Sequence, residues 1–358
     1  MRHPGLDLMR VLAILLVMWE HIRYVAVQVW PHFTFHIPVD GVDVFFVLSG
    51  YLVGQNWLNY AISDSRSVLI KAWHFWIRRF WRIWPLYYLF LILNIVGVIL
   101  GLLPGRFSST IWVYFFYFQN LIKPVDLFFW ESWSLCVEEL FYFLLPLNFI
   151  LLSIILKKIK IINIFLFSAL ILIILSFLYR IILPDNYHYD LWYRKMAPSR
   201  LDALGYGVTA AGILRNKDSV LSYPRWVILA TVISGLCICV FTSCYSWNYN
   251  NIWLKPSMIP FGVALIMPGF LLIDYVPKIL WNIISRLARW SYAAYLIHLS
   301  WVATPIYLYV SKDFTKMEAL IVIILYFVIT FALSRLFYTY FEKPILHWRD
   351  KNYPFGIS

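Results

Sequence analysis

Arg10 and His21 stand eleven residues apart in one apolar stretch, LDLMRVLAILLVMWEHIRYVAVQVW. An α-helix turns about 100° per residue, so the two side chains point the same way, about 16 Å apart along the axis. Ionisable groups in a membrane helix are expensive and face a protein interior or a wet cavity. A cation near one membrane face and an imidazole deeper on the same stripe suggest a site running through part of a bilayer. The plainer reading is a snorkelling Arg10 and an interfacial His21.

Further charges recur inside apolar runs. GVDVFFVLSG carries Asp43 and, about two turns further in, Ser49. Asp43 could orient an imidazole, or only favour a helix N-terminus; Ser49 with Gly50 could be a close-packing small pair. RRFWRIWPLYY carries Arg78, Arg79 and Arg82. Arg79 and Arg82 share a helix face at i and i+3, and a guanidinium fork suits phosphate; a positive-inside anchor is the alternative. ESWSLCVEELFYFLLP holds Glu138 and Glu139, which point about 100° apart. A buried carboxylate needs a partner, for which His21 or Arg200 could serve. SRLDALGYG places Arg200 and Asp202 at the start of another segment. His298 in SYAAYLIH reads first as a hydrogen-bonded structural group, and Glu342 in FEKP as part of a helix end stopped by Pro344.

These groups need apolar helices to position them. The 358 residues are 62% hydrophobic and 13% charged, with mean hydropathy +0.73. Apolar stretches recur along the whole length, which predicts an all-α polytopic membrane protein. Short alternating segments of a β-barrel are missing. The expected spans are 6–28, 42–58, 76–102, 134–156, 161–183, 200–214, 225–243, 257–274, 288–310 and 318–341, ten transmembrane helices in all. Segment 110–121 is too short to span and should be re-entrant or interfacial. That choice puts most of the basic residues on cytoplasmic loops, with both termini cytoplasmic. The first segment lacks a small-residue cleavage site and reads as a helix, not a signal peptide. The net charge of +12 reads as topology, not as a nucleic-acid surface. The four cysteines form no metal or disulfide pattern, so no metal is expected. The segments 186–195 and 245–255 are rich in Trp, Tyr and Asn, suiting sugar contact or an interfacial aromatic belt.

Taken in order, LDLMRVLAILLVMWEH, GVDVFFVLSG, RRFWRIWPLYY, SWSLCVEELFYFLLP, SRLDALGYG, SYAAYLIH and YFEKP resemble acyltransferase family 3, bacterial integral-membrane O-acyltransferases of cell-surface and secreted glycans. The resemblance runs from residue 6 to residue 344. It implies that Arg10 and His21 match the family's cation and essential histidine of the first helix. It implies that Asp43 matches the acid of the second helix, Arg79 and Arg82 the paired arginines, and Glu138 and Glu139 the carboxylates. Leu8, Val11 and Cys136 stand where the family often has small residues or Ser, so local packing could differ.

The resemblance implies an acyl-coenzyme A donor, most often acetyl-coenzyme A, and a glycan or glycolipid acceptor. It implies a multi-pass location in the bacterial cytoplasmic (inner) membrane, among lipids. Residues 1–358 would form one transmembrane acyltransferase domain without a soluble domain; a hydrolase-like activity of the kind some relatives carry would come from another protein. On this expectation Arg10, Arg78, Arg79 and Arg82 hold the donor, and Arg200, Asp202 and Ser49 contact substrate. His21 is the general base, supported by Asp43, Glu138 or Glu139. Direct transfer is favoured over an acyl-enzyme on His21 or Ser49. A transporter or flippase using the charged core as a permeation path is the competing class; transfer to a non-sugar acceptor is a third.

Overall fold

The computed structural model describes residues 3–30, 37–63, 67–106, 110–124, 128–184, 187–215, 217–248, 251–310 and 314–354. Of the aromatic segments 186–195 and 245–255, residues 186 and 249–250 lie outside the described residues. Every regular element among the described residues is helical: α1 (Pro4–Val29), α2 (Gly41–Ser63), α3 (Val68–Ile99), α4 (Trp133–Ile155), α5 (Ile161–Ile181), α6 (Leu201–Ile213), α7 (Lys217–Leu221), α8 (Arg225–Cys244), α9 (Lys255–Leu271), α10 (Lys278–Ile297), α11 (Thr304–Tyr309), α12 (Lys316–Phe337) and α13 (Lys343–Asn352).

Local chemistry explains several boundaries. Pro4 opens α1, where its missing N–H costs nothing. Thr315 and Glu318 form a capping box at α12, with the Thr315 N–H donating to Glu318 Oε2 at 2.8 Å. Three π-helical segments interrupt the regular winding: Tyr189–Arg194, His298–Ala303 and Tyr338–Glu342. Such segments often sit at functional sites, and each of these carries a charged or titratable residue used below.

Among the described residues, five helical stretches are long and apolar enough to cross a membrane: Val68–Ile99, Trp130–Ile155, Ile161–Ile181, Arg225–Cys244 and Lys316–Asn352. The expectation of ten crossings is thus met by composition only in part. α6 has 13 residues, about 20 Å of helix against a hydrocarbon core of about 30 Å. α9 has 17 residues with Pro260 and Pro268 inside it. Segment 110–121 forms a short 3₁₀ helix, Ile111–Phe116, closed by Tyr117 in the left-handed region at φ 58°. Its carbonyls are held from α3, where Tyr87 donates to Tyr114 O at 2.8 Å and Tyr88 to Phe115 O at 2.7 Å.

Three expected boundaries move. α3 begins at Val68, so the arginine cluster lies inside the helix and not at its mouth. α10 begins at Lys278, because Arg286 and Arg289 interrupt the hydropathy but not the helix. Pro344 does not stop the last helix: it occupies the first turn of α13, where proline is tolerated, after the π segment has absorbed the break.

α2 and α6 pack most closely of all, through glycine. A Cβ on Gly207 would collide with the Val47 carbonyl, and one on Gly50 with the Leu204 carbonyl. Small residues that let backbones touch are the usual adhesive between membrane helices. Gly50 thus takes the packing role, and Ser49 is left to face the interior. Gly207→Val should force α2 and α6 apart at a cost of about 1–3 kcal/mol or more, read as a lowered thermal midpoint in detergent; an unchanged midpoint would contradict this packing.

Candidate active site

Three cavities follow one another through the bundle. The first, about 300 Å³, is walled by Asn56, Tyr60, Phe75, Arg78, Arg79, Arg82 and Arg349. The second, about 140 Å³, shares Arg79 and Arg82 and adds Arg10, Ser49, Glu138 and Tyr142. The third, about 360 Å³, shares Val42 and Tyr295 with the second and contains His21, Asp43, Glu131, Arg194, Arg200 and His298. One end of the row is therefore arginine and the other histidine, and Arg10 and His21 on α1 open onto different chambers.

At the arginine end four guanidinium groups and no carboxylate line the wall. Arg78 Nη2 lies 2.9 Å from Asp350, and Arg82 Nη1 2.5 Å from Glu342, both reached from the C-terminal end of the chain. Arg79 makes no ion pair among the described residues. It lies between the rings of Phe75 and Tyr142, each centroid 5.5 Å from its guanidinium carbon. A guanidinium so held is preorganised for a planar anion. Arg349 joins this cluster from α13, a contribution that its exposed-looking sequence context did not suggest. Arg10 is paired along its own helix with Asp7 at 3.1 Å.

In the middle chamber Ser49 Oγ is hydrogen-bonded to the Tyr142 hydroxyl, which donates to Glu138 Oε2 at 2.7 Å. Trp76 Nε1 donates to the Tyr142 carbonyl at 3.0 Å. Glu139 points elsewhere, accepting from Trp84 Nε1 at 2.9 Å in an aromatic cleft between α3 and α4. Neither glutamate touches His21, so the expected carboxylate partners of the imidazole are not found there.

Asp43 does not serve His21 either. It forms a buried ion pair with Arg200. His21 is oriented by a backbone group instead: its Nδ1 lies 2.8 Å from the Val17 carbonyl. A carbonyl can only accept, so Nδ1 carries the proton and Nε2 keeps its lone pair. The His298 ring sits edge-on to His21 at 4.9 Å between centroids. Its own Nδ1 lies 2.7 Å from the Tyr295 carbonyl. Asp202 turns away from this chamber; its carboxylate binds Arg180 at 2.9 Å, with both side chains fully buried, and accepts from Ser257. Asp202 thus braces the start of α6, while Arg200 reaches the cavity wall.

Glu131, Asp40 and Arg194 were not singled out from sequence. Arg194 closes the outer rim by binding Asp40 and, at 2.8 Å, Asp190, which also holds Lys195 at 2.5 Å. These partners are 154 and 4 residues away in sequence, and only the local pair follows a helix-like spacing. Burial alone would raise the Asp40 carboxyl, but the Arg194 charge beside it outweighs that and holds it below the usual carboxylate range. Asp190 is lowered in the same way. A carboxyl with a lowered folded pKa adds stability that is present above its unfolded value and lost as pH falls through the folded one. The part of wild-type stability that rests on these two carboxylates should therefore be lost only as pH drops below about 4. In Arg194→Gln the burial of Asp40 is left uncompensated, so that variant should be less stable at pH 7 and recover on acidification to pH 5. Parallel pH profiles of the two proteins check this; parallel curves would contradict it.

A family model described as an acyltransferase domain matches residues 3–339. "Putative peptidoglycan O-acetyltransferase YrhL" of Bacillus subtilis (strain 168) is 26% identical over 370 aligned positions, covering 96% of this chain and 54% of that protein. "Putative O-acetyltransferase SAR0937" of Staphylococcus aureus (strain MRSA252) is 26% identical over 386 positions, covering 98% and 59%. "Peptidoglycan O-acetyltransferase OatA" of Listeria monocytogenes is 32% identical over 157 positions, covering 40% and 23%. The chain spans a little over half the length of the first two relatives. No solved structure matches it. The match over nearly its whole length makes this chain a member of acyltransferase family 3.

Proposed function

We propose that the protein is a multi-pass O-acyltransferase of the bacterial cytoplasmic membrane, moving an acyl group, most readily acetyl, from cytoplasmic acyl-coenzyme A to a hydroxyl of a cell-envelope glycan. The observation that carries this reading is the row of three adjoining chambers with arginines at one end and a histidine pair at the other. Four guanidinium groups without a lining carboxylate suit the phosphates of coenzyme A. The 140 Å³ throat between Ser49, Arg10 and Tyr142 suits a thin pantetheine arm and excludes the nucleotide. The names of the relatives favour acetyl as the group and peptidoglycan among the acceptors. Cytoplasmic termini and ten crossings complete the proposal, following from the placement of the basic residues. The permeation-path alternative draws no support from the family match.

The chemistry assigned to the chain is proton management and charge placement. His21 Nε2 takes the proton of the acceptor hydroxyl as its oxygen attacks the thioester carbonyl. The carbon–sulfur bond breaks, and the departing thiolate recovers that proton from the imidazolium, which leaves an ester, a free thiol and neutral His21. Val17 O holds the reactive tautomer throughout. Asp43 acts through Arg200, fixing the guanidinium at the chamber wall.

A general base of this kind contributes about 10²–10⁴-fold. His21→Ala in liposomes should lose acetyl transfer by that factor and still bind acetyl-coenzyme A. Arg79→Gln should instead weaken donor binding about tenfold or more. Transfer by His21→Ala at the wild-type rate would contradict the assignment, and a wild type that binds no acyl-coenzyme A would defeat the reading as a whole.

A further inference from the structure

With the histidine-end chamber taken as the acceptor chamber, as the acyl-transfer reading requires, two hydrogen-bond acceptors in its wall stand without a donor. Glu131 is 2% exposed and His298 0%. Glu131 Oε1 and His298 Nε2 are buried and have no hydrogen-bond partner among the described residues. Both residues line the same chamber as His21. Buried polar atoms are nearly always paired; the same wall also holds a donor, Arg200 Nε, without a hydrogen-bond partner among the described residues, so donor and acceptors alike are left for a ligand to meet.

His21 cannot supply the missing donor. Its Nδ1–H is committed to the Val17 carbonyl and that of His298 to the Tyr295 carbonyl. Each neutral ring then offers only a lone pair at Nε2, and two lone pairs repel. Glu131 has been brought to this place at some cost. Phe129, two residues before it, adopts φ 46°, a left-handed conformation that an aromatic residue rarely takes. The 3₁₀ turn Trp130–Ser132 then carries Glu131 into the wall. There the Ser300 hydroxyl donates to Oε2 at 2.8 Å, and the Tyr295 hydroxyl donates to the Glu131 carbonyl at 3.0 Å. The carboxylate is locked with one oxygen bound and the other turned loose. Tyr295, His298 and Ser300 all come from the end of α10 and its π segment, so one rigid frame positions both acceptor atoms.

We propose that Glu131 and His298 form an acceptor clamp. Glu131 Oε1 and His298 Nε2 accept hydrogen bonds from a hydroxyl or acetamido N–H beside the hydroxyl that His21 deprotonates. The acceptor is therefore a polyhydroxylated or acetamido sugar, not a simple alcohol. Trp130, next to Glu131 in the sequence, lines the same wall and is exposed, so its ring can meet the sugar; Trp133 is buried under the Arg194 guanidinium.

The test uses the full chain in nanodiscs with acetyl-coenzyme A and three acceptors: methyl β-N-acetylglucosaminide, methyl β-glucoside and cyclohexylmethanol. Wild type should favour the two glycosides over cyclohexylmethanol by about ten- to hundredfold in kcat/KM, the worth of one or two hydrogen bonds to buried acceptors. A gap between the two glycosides shows whether hydroxyl or acetamido N–H is the donor. Glu131→Gln and His298→Gln should each raise the KM of the glycosides at least about tenfold while the rate with cyclohexylmethanol falls less than about threefold. Ser300→Ala, which loosens the carboxylate without removing it, should lose part of the preference. Equal losses on all three acceptors would make both residues structural and overturn the clamp, as would a wild type that transfers without preference. A wild type that neither hydrolyses acetyl-coenzyme A nor transfers from it defeats the acyl-transfer reading, and the clamp falls with it.

Discussion

Arg200, at the start of α6, reaches Asp43 at the start of α2, with side-chain exposures of 1% and 6%. Removing one partner from such a pair typically costs about 3–5 kcal/mol, because the other charge is left buried and alone. The same constraint recurs at Arg180–Asp202 and Arg82–Glu342. Matching each interior charge decides which helices meet: α2 with α6, α5 with α6, and α3 with the π segment before α13. Glycine at positions 50 and 207 then allows the backbones of α2 and α6 to close on that charged seam. The buried pairs add little net stability, but they leave the bundle few alternative registers.

Within that frame the charges divide into two kinds. Matched pairs hold helices, as Arg180 and Asp202 do. Unmatched or half-matched groups face the chambers: Arg79 between two aromatic rings, His21 with a free Nε2, and Glu131 and His298 with one atom each unsatisfied. A low-dielectric interior makes each of these expensive without a ligand and effective with one. Their order along the row of chambers, guanidinium first and imidazole last, gives the site a direction, which suits a donor and an acceptor approaching from opposite sides.

The helix-borne part of this site was legible in sequence and the loop-borne part was not. Arg10 with His21, and Arg79 with Arg82, keep fixed spacings on continuous helices, so periodicity alone placed each pair on one face. Glu138 and Glu139 were rightly read as diverging, but their partners, Tyr142 and Trp84, depend on how α3 and α4 meet. From sequence Asp43 could orient an imidazole or only favour a helix N-terminus; Arg200, 157 residues away, takes it instead. Nothing local announces Glu131, whose place depends on a left-handed Phe129 and a single 3₁₀ turn. His298 sits in an apolar run where a satisfied histidine is the ordinary case, and only its unpaired Nε2 says otherwise. The π segments that carry Arg194, His298 and Glu342 have no sequence signature that hydropathy can detect.

The most direct measurement blocks the throat between the arginine and histidine chambers. Ser49→Trp places a large side chain in a space of about 140 Å³, and adenosine 3′,5′-bisphosphate, which carries phosphates but no pantetheine arm, reports on the arginine end alone. The expected result is nucleotide affinity within about twofold of wild type together with acetyl transfer reduced by at least about a hundredfold. Transfer that survives the blocked throat, with nucleotide binding intact, would mean that donor and histidine do not meet through these chambers.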